Sequence, residues 1–307
     1  MKVTIVGAGN VGAVTAQRLS TLELAREVVI VDVVEGIPQG KALDIYQAAP
    51  LVESDTRVIG TNSYEATAGS DVVIITAGLT RRPGMTRDDL LLRNAYTMQE
   101  VTRSVVAQSP ECILIPVSNP LDEMTYVALR ASGFDRRRVI GMAGVLDSAR
   151  LRTFIAIELG VAVEDVSAIV LGSHGELMIP MIKYATIAGV PVTDFISAER
   201  LAALVERTRN AGTEILDHLK TVSAFYAPSA AITSMVESIA LDKRRIMPCA
   251  VLLEGEYGLN DVVTGVPVKL GRNGVEQIIE ITLDPDEREA LGRSAAGVRA
   301  NIAKLSI

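Results

Sequence analysis

The 307-residue sequence predicts an α/β fold: a doubly wound parallel sheet over residues 1–143, followed by a second, α+β domain over residues 144–307. Three observations predict it. Up to about residue 143, short β-branched apolar runs alternate with amphipathic stretches, the rhythm of buried parallel strands joined by helices. The ends of those runs carry Gly7, Asp32, Gly78, Asn119 and Gly144, so polar residues and glycines gather on the sheet edge where such folds bind ligands. After Gly144 the alternation gives way to long amphipathic patterns and then to closely spaced strand-like runs.

The elements follow in chain order. KVTIVGAG, VVIVDV, TRVIGT, DVVIITAG, CILIPVSN and RVIGMAG predict six buried strands, with helical patterns between them such as residues 11–24 and 91–107. DSARLRTFIAIELG then predicts a helix, VSAIVL a strand, and AGVPV a region of turns. Residues 198–221 carry Leu201, Leu204, Val205, Ile215, Leu216 and Leu219 at helical spacing, and residues 227–242 predict a second packed helix. MPCAVLLEG, GVPVKLG and EQIIEITL read as strands, with turns at Gly271 and Gly274. A closing helix carries Leu291, Ala295, Val298, Ile302 and Leu305.

Composition narrows the function classes. Hydrophobic residues make up 49% and charged residues 22%, which suits a soluble globular protein with a large core and excludes disorder. A net charge of −7, with one basic cluster at Arg136–Arg138 beside Asp135, argues against a nucleic-acid partner; the cluster reads as a solvated loop. Cys112 and Cys249 form no disulfide framework and have no CxxC neighbour, so a reducing, cytoplasmic setting without a metal is expected. The opening MKVTIVGAG has the length of neither a signal core nor a membrane span, so no membrane partner is expected.

Residues 7–12 read GAGNVG, that is Gly7, Ala8, Gly9, Asn10, Val11 and Gly12, placed after one strand and opening a helix. In that context the pattern is a Rossmann dinucleotide fingerprint. Its glycines allow a tight turn and close approach of a pyrophosphate, and the helix start offers free N–H groups. Asp32 ends the second strand twenty residues after Gly12, where a carboxylate accepts ribose hydroxyls and repels a 2′-phosphate; NAD is favoured over NADP. The plainer reading is a turn capped by Asp32.

LTRRPGMTRDDLLLRN brings Arg81, Arg82, Arg87 and Arg93 around Pro83–Gly84, a hinged flap suited to an anionic substrate, although a solvated face reads equally well from these residues alone. VSNPLD puts Asn119 at a strand end before Pro120, for a substrate carbonyl, a ribose or a plain turn. Asp147 and Arg150 in GVLDSARLRT share a helix face at i, i+3, by default an ion pair. His174 in LGSHGEL closes the next strand-like run, so chain return brings it beside that face. A carboxylate there fixes the imidazole tautomer and stabilises its protonated form, and the arginine forks onto a substrate carboxylate. His218, in EILDHLK, reads as structural.

These residues resemble the lactate and malate dehydrogenases, and within them the lactate-dehydrogenase-like malate dehydrogenases of prokaryotes. GAGNVG, Asp32, VEGIPQGKALDIYQAAP, TAGLTRRPGMTRDDLLLRN, VSNPLD, GMAGVLDSARLRTFIA, GSHGE and YGLNDVVTGVPVKLGRNGVE occur in family order across the whole chain. The resemblance implies NAD-dependent, reversible oxidation of (S)-malate to oxaloacetate, a tricarboxylic acid cycle step, by a homodimer or homotetramer. It implies His174 as acid/base oriented by Asp147, and Arg150 on the carboxylate next to the reacting carbon. Arg87 would polarise the carbonyl as the loop closes and Asn119 would touch substrate, while Val117, Ser118, Asn119 and Asn94 would meet the cofactor. Arg81 matches the position where lactate enzymes carry glutamine and malate enzymes arginine. Burying Arg81 without a counter-charge costs roughly 3–5 kcal/mol, on the order of 10² to 10³-fold, so pyruvate is expected to be rejected. The neighbouring alternative is another 2-hydroxyacid dehydrogenase, and a more distant one is a non-catalytic NAD-binding protein. Glu176 stands where the family usually has aspartate, and Ser173 where close relatives often have glycine.

Overall fold

A computed structural model describes residues 1–79 and 84–305, so Arg81 and Arg82 lie outside the described residues. The N-terminal half runs β1 (Lys2–Val6), α1 (Asn10–Thr21), β2 (Glu27–Val31), α2 (Ile37–Ala48), β3 (Arg57–Thr61), β4 (Val72–Ile75), α3 (Arg87–Gln108), β5 (Ile113–Pro116) and α4 (Leu121–Ser132). Among the described residues its strands form a parallel sheet ordered β3-β2-β1-β4-β5. Helices cover both faces, which is why these strands are apolar on both sides: Ile5, Ile30, Ile74, Ile75, Leu114 and Ile115 are fully enclosed. Each such side chain contributes about 1.5–3 kcal/mol relative to exposure. The chain winds outward from β1 to β3 and then returns to β4 on the other side of β1. That reversal opens a crevice beyond the carboxyl ends of β1 and β4.

The C-terminal half begins with α5 (Gly144–Leu159) and continues through the short strands β6 (Val166–Ser167), β7 (Val170–Leu171), β8 (Ile179–Pro180), β9 (Thr186–Ile187) and β10 (Val190–Pro191). Then come α6 (Ala198–Leu219), α7 (Tyr226–Ala240), the antiparallel β11 (Arg245–Glu254), β12 (Asn260–Gly271) and β13 (Gly274–Ile278), and α8 (Pro285–Ile302). One core joins the halves: Val3, Ile5 and Ile74 of the parallel sheet cluster with Ile232 and Met235 of α7 and with Val251 and Val266 of the antiparallel sheet. Ser229 on α7 donates to the Val11 carbonyl of α1 at 3.0 Å, so the first helix is held from both halves. No helix among the described residues is long and apolar enough to cross a membrane.

Four sequence expectations are revised. RVIGMAG is not a sixth strand: Val139 bridges Leu114 in parallel, Gly141 bridges Ala250 antiparallel, and the segment stitches β5 to β11 instead of extending one ladder. VSAIVL splits in two because Val166–Ser167 pairs with β9 whereas Val170–Leu171 pairs with β8. EQIIEITL leaves the ladder at Ile278. The Tyr257 hydroxyl then donates to the Ile279 carbonyl at 2.8 Å and accepts the Ile281 N–H at 3.0 Å, replacing strand partners. Finally, α3 starts at Arg87 and not at Leu91, because Thr86 and Asp89 form a capping box that apolar periodicity does not reveal. The last revision matters for the site, since it puts Arg87 on the first turn of a capped helix.

Candidate active site

The glycine loop follows β1 and packs on itself. A Cβ on Gly12 would fall 1.9 Å from the Gly7 carbonyl oxygen, so the helix approaches the turn only because residue 12 has no side chain. At Gly9 a Cβ would meet nothing within 4 Å, so its missing side chain leaves open space instead. No side chain caps α1 at Gly9 and no acidic residue lies in its first turn, leaving N–H groups and the positive end of the helix dipole toward the crevice. A cleft of about 1050 Å³ lies there, bordered by Gly9, Asn10, Gly12 and Gly78 on one side and by Lys220 and Phe225 on the other. Asp32 accepts the Ala8 N–H at 2.7 Å and the Val34 N–H at 3.0 Å. It therefore caps the loop, and each carboxylate oxygen keeps a lone pair for a ribose hydroxyl. Charge, size and free donors fit a dinucleotide.

Beside this cleft lies a cavity of about 480 Å³ whose wall includes Val117, Ser118, Asn119, Arg150 and His174. His174 arrives where β7 ends. Gly172, at φ +82°, exchanges main-chain hydrogen bonds of 2.9 and 3.0 Å with Gly265, and a Cβ on Gly265 would sit 2.5 Å from the Gly172 oxygen. That close approach turns the chain so the imidazole returns over α5. His174 Nδ1 lies 2.8 Å from Asp147 Oδ2, and Arg150 Nη1 lies 3.5 Å from Asp147 Oδ1. Asp147 is 1% exposed, so its charge acts in a medium that screens little. Burial alone pulls the His174 imidazolium down. The charge and hydrogen bond of Asp147, with help from Asp122, outweigh burial and the opposing Arg150, and the pKa stands above the ordinary imidazole value. Arg150 is itself mostly buried, its Nε without a hydrogen-bond partner among the described residues, and burial lowers its pKa against the pull of Asp147.

Asn119 precedes a cis peptide bond to Pro120 at the start of α4. Its carbonyl accepts from Asn94 Nδ2 at 2.6 Å. The same amide takes the Leu79 N–H at 2.8 Å and donates to the Leu79 carbonyl at 3.1 Å. Asn94 is thus spent behind the wall, tying the segment after β4 to Asn119, and among the described residues it lines neither cavity. Ser118 donates to the Ala77 carbonyl at 2.5 Å, and Val117 donates its N–H to Ile75 at 2.9 Å. Arg87 is not on the cavity wall. It is largely exposed and pairs at 2.7 Å with Glu176, two residues beyond His174. Glu176, the departure noted in the sequence, holds the flap arginine over the histidine loop.

Sequence reasoning missed Thr76, Met178, Arg209, Gly212 and Thr213, all of which border the cavity. One signal was available: Gly212 interrupts the α6 pattern, and a glycine inside a helix costs about 1 kcal/mol unless something needs the room. At position 212 a Cβ would lie 3.7 Å from Arg150 Nη2, an ordinary contact, so the glycine marks where α6 meets the guanidinium without being required by it.

Comparison with known proteins adds independent findings. Residues 1–141 match the family described as lactate/malate dehydrogenase, NAD binding domain, and residues 144–306 its alpha/beta C-terminal domain. A malate dehydrogenase of Chloroherpeton thalassium is 58% identical over 306 residues, covering 100% of this chain and 99% of that one. The structure of malate dehydrogenase from Salinibacter ruber superposes with a TM-score of 0.95 at 52% identity, over 99% of this chain and 97% of that one. A lactate dehydrogenase from Cryptosporidium parvum, complexed with lactic acid and nicotinamide adenine dinucleotide, superposes with the same TM-score at 41% identity, over 98% and 96%.

Proposed function

The chain belongs to the lactate/malate dehydrogenase family, and from that premise we propose that it catalyses NAD-dependent, reversible oxidation of (S)-malate to oxaloacetate. The observation that carries the reading is the buried 2.8 Å contact of His174 Nδ1 with Asp147, on the same cavity wall as Arg150 and Asn119 and beside a dinucleotide cleft. On family grounds the enzyme is read as a cytoplasmic homodimer or homotetramer of the tricarboxylic acid cycle.

Each side chain has a task in this reading. The glycine loop and first turn of α1 hold the pyrophosphate and Asp32 the ribose. Bound NADH supplies the hydride that ends on C2 of oxaloacetate. With Nδ1–H donated to Asp147, His174 carries the transferable proton on Nε2 and delivers it to the oxygen on C2. Arg150 forks onto the adjacent carboxylate, Asn119 donates to the reacting oxygen, and Arg87 stabilises the charge that develops there. Arg81 pairs the distal carboxylate.

The direct test is NADH consumption with oxaloacetate and with pyruvate. Oxaloacetate turnover at least 10²-fold faster is expected, and Arg81→Gln is expected to move the ratio toward pyruvate by tenfold or more. Equal rates with the two substrates would sink the assignment to malate. Glu176 and substrate compete for Arg87 in this reading. Glu176→Gln is therefore expected to lower KM for oxaloacetate by up to about fivefold and to flatten its salt dependence, the range of an exposed ion pair. A raised KM would instead mean that Glu176 holds Arg87 in its working position.

A further inference from the structure

Two buried carboxylates flank His174, and only Asp147 touches its ring. The other, Asp122, is 2% exposed on the first turn of α4, three residues after Asn119, and its Oδ2 accepts the main-chain N–H of His174 at 2.7 Å. Its Oδ1 is also buried, with no hydrogen-bond partner among the described residues. Keeping a carboxylate half-satisfied in the interior is costly, so its retention calls for a return elsewhere. The neighbouring Glu123 is differently used: it accepts from Asn301 Nδ2 at 2.6 Å and so faces α8.

The histidine loop is anchored at three consecutive residues. Gly172 pairs with Gly265 of β12, the Ser173 N–H reaches Ser294 of α8 at 2.8 Å, and the His174 N–H reaches Asp122. Of these anchors, the third crosses to the N-terminal half, on the same helix start that presents Asn119. We propose that Asp122 is a positioning residue for the acid/base: it fixes the His174 main chain against the Asn119-bearing end of α4 and supplies a second negative charge that favours the imidazolium. The proposal rests on the dehydrogenase reading above.

The electrostatic setting is well defined. Asp147 and Arg150 face His174 from α5 and Asp122 from α4; Arg209 of α6 borders the same cavity, and Glu176 on its own loop engages Arg87 of α3. Burial and the adjacent Glu123 push the Asp122 carboxyl up to about 7, with the His174 N–H and charge pulling it back and Asp147 adding to the rise. The Asp122 charge therefore develops as pH rises through neutrality, where it helps keep the proton on His174.

The full-length enzyme, Asp122→Ala and Asp122→Asn are compared by kinetics and by ¹³C NMR titration of the imidazoles. The chain has two histidines, so His218→Gln assigns both signals. Asp122→Ala is expected to cut kcat for oxaloacetate about 10- to 100-fold while NADH affinity, read by fluorescence, changes less than about twofold. Asp122→Asn still offers an oxygen to the His174 N–H and is expected to regain most of that loss. In both variants the His174 pKa is expected to fall by about 0.5 or more, moving the alkaline decline in rate to lower pH. An unshifted His174 titration overturns the proposal, even if thermal stability drops, because a purely structural carboxylate would behave that way. A kcat within twofold of wild type in Asp122→Ala overturns it too. Should Asp122→Ala fail to fold, the Asp122→Asn titration decides alone. A wild-type chain that does not reduce oxaloacetate defeats the functional reading instead, and the NMR titration still tests Asp122.

Discussion

Asparagine in place of His174 is expected to lower kcat for oxaloacetate reduction by about 10³-fold, within the roughly 10²–10⁴-fold worth of a positioned acid/base, with NADH affinity unchanged. Stopped-flow NADH oxidation at saturating cofactor measures it, and a loss below tenfold would remove His174 from the proton's path. The argument rests on the geometry at Nδ1. With that nitrogen held 2.8 Å from Asp147, Nε2 is the position left to exchange a proton with substrate. Asp147→Asn is expected to lose activity on a similar scale, since an amide can hold the ring in the wrong tautomer and removes the charge that supports the imidazolium. The sign of the pH dependence follows from the raised His174 pKa. Oxaloacetate reduction needs the protonated ring, so its kcat/KM is full at low pH and falls as pH rises through that raised pKa. Malate oxidation needs the neutral ring, so it falls as pH drops through the same value. Parallel declines on one side would contradict a shared acid/base.

How much of this was legible depends on the range of the interactions involved. GAGNVG and Asp32 were readable because a glycine turn, a helix start and a strand-end carboxylate are local features, and their neighbours confirm the turn: the Ala8 N–H meets Asp32. Asp147 with Arg150 was readable as a helix face, and His174 as the end of the next strand-like run, although that run proved to be two short strands with different partners. Contacts set by long-range packing left no mark. Asp122 meets His174 across 52 residues, and Arg87 meets Glu176 across 89. Nothing in NPLDEM distinguishes a buried carboxylate aimed at a distant amide from an acidic helix start facing water. Arg209 likewise falls among the charges of an amphipathic helix, and it borders the cavity only because α6 packs against α5. The start of α3 slipped for a related reason: apolar periodicity locates the buried stripe of a helix, whereas its first turn is set by the Thr86–Asp89 box.

Methionine in place of Arg150 is expected to reduce kcat/KM for oxaloacetate on the order of 10³-fold, since cutting one partner from a buried, hydrogen-bonded charge pair costs about 2–5 kcal/mol. The guanidinium is confined between α5 and α6, 12% exposed at the side chain. One edge faces Asp147 at 3.5 Å, and among the described residues the Nε has no hydrogen-bond partner. That arrangement leaves the Nη edge on the cavity wall as a fork for a carboxylate. Arg150→Lys tests the fork separately from the charge: a point-charge ammonium restores attraction without two parallel donors, so about a tenfold or larger deficit should persist. Activity equal to wild type with lysine would mean that charge alone is used. The two variants also differ at His174. Arg150 opposes protonation of that ring, so its removal in Arg150→Met is expected to raise the imidazole pKa and carry the alkaline decline of the residual activity to higher pH, whereas Arg150→Lys should leave it nearly in place. A shift in the opposite sense would show that the loss of Arg150 had also disturbed Asp147, separating a carboxylate-binding role from one in holding the histidine pair together.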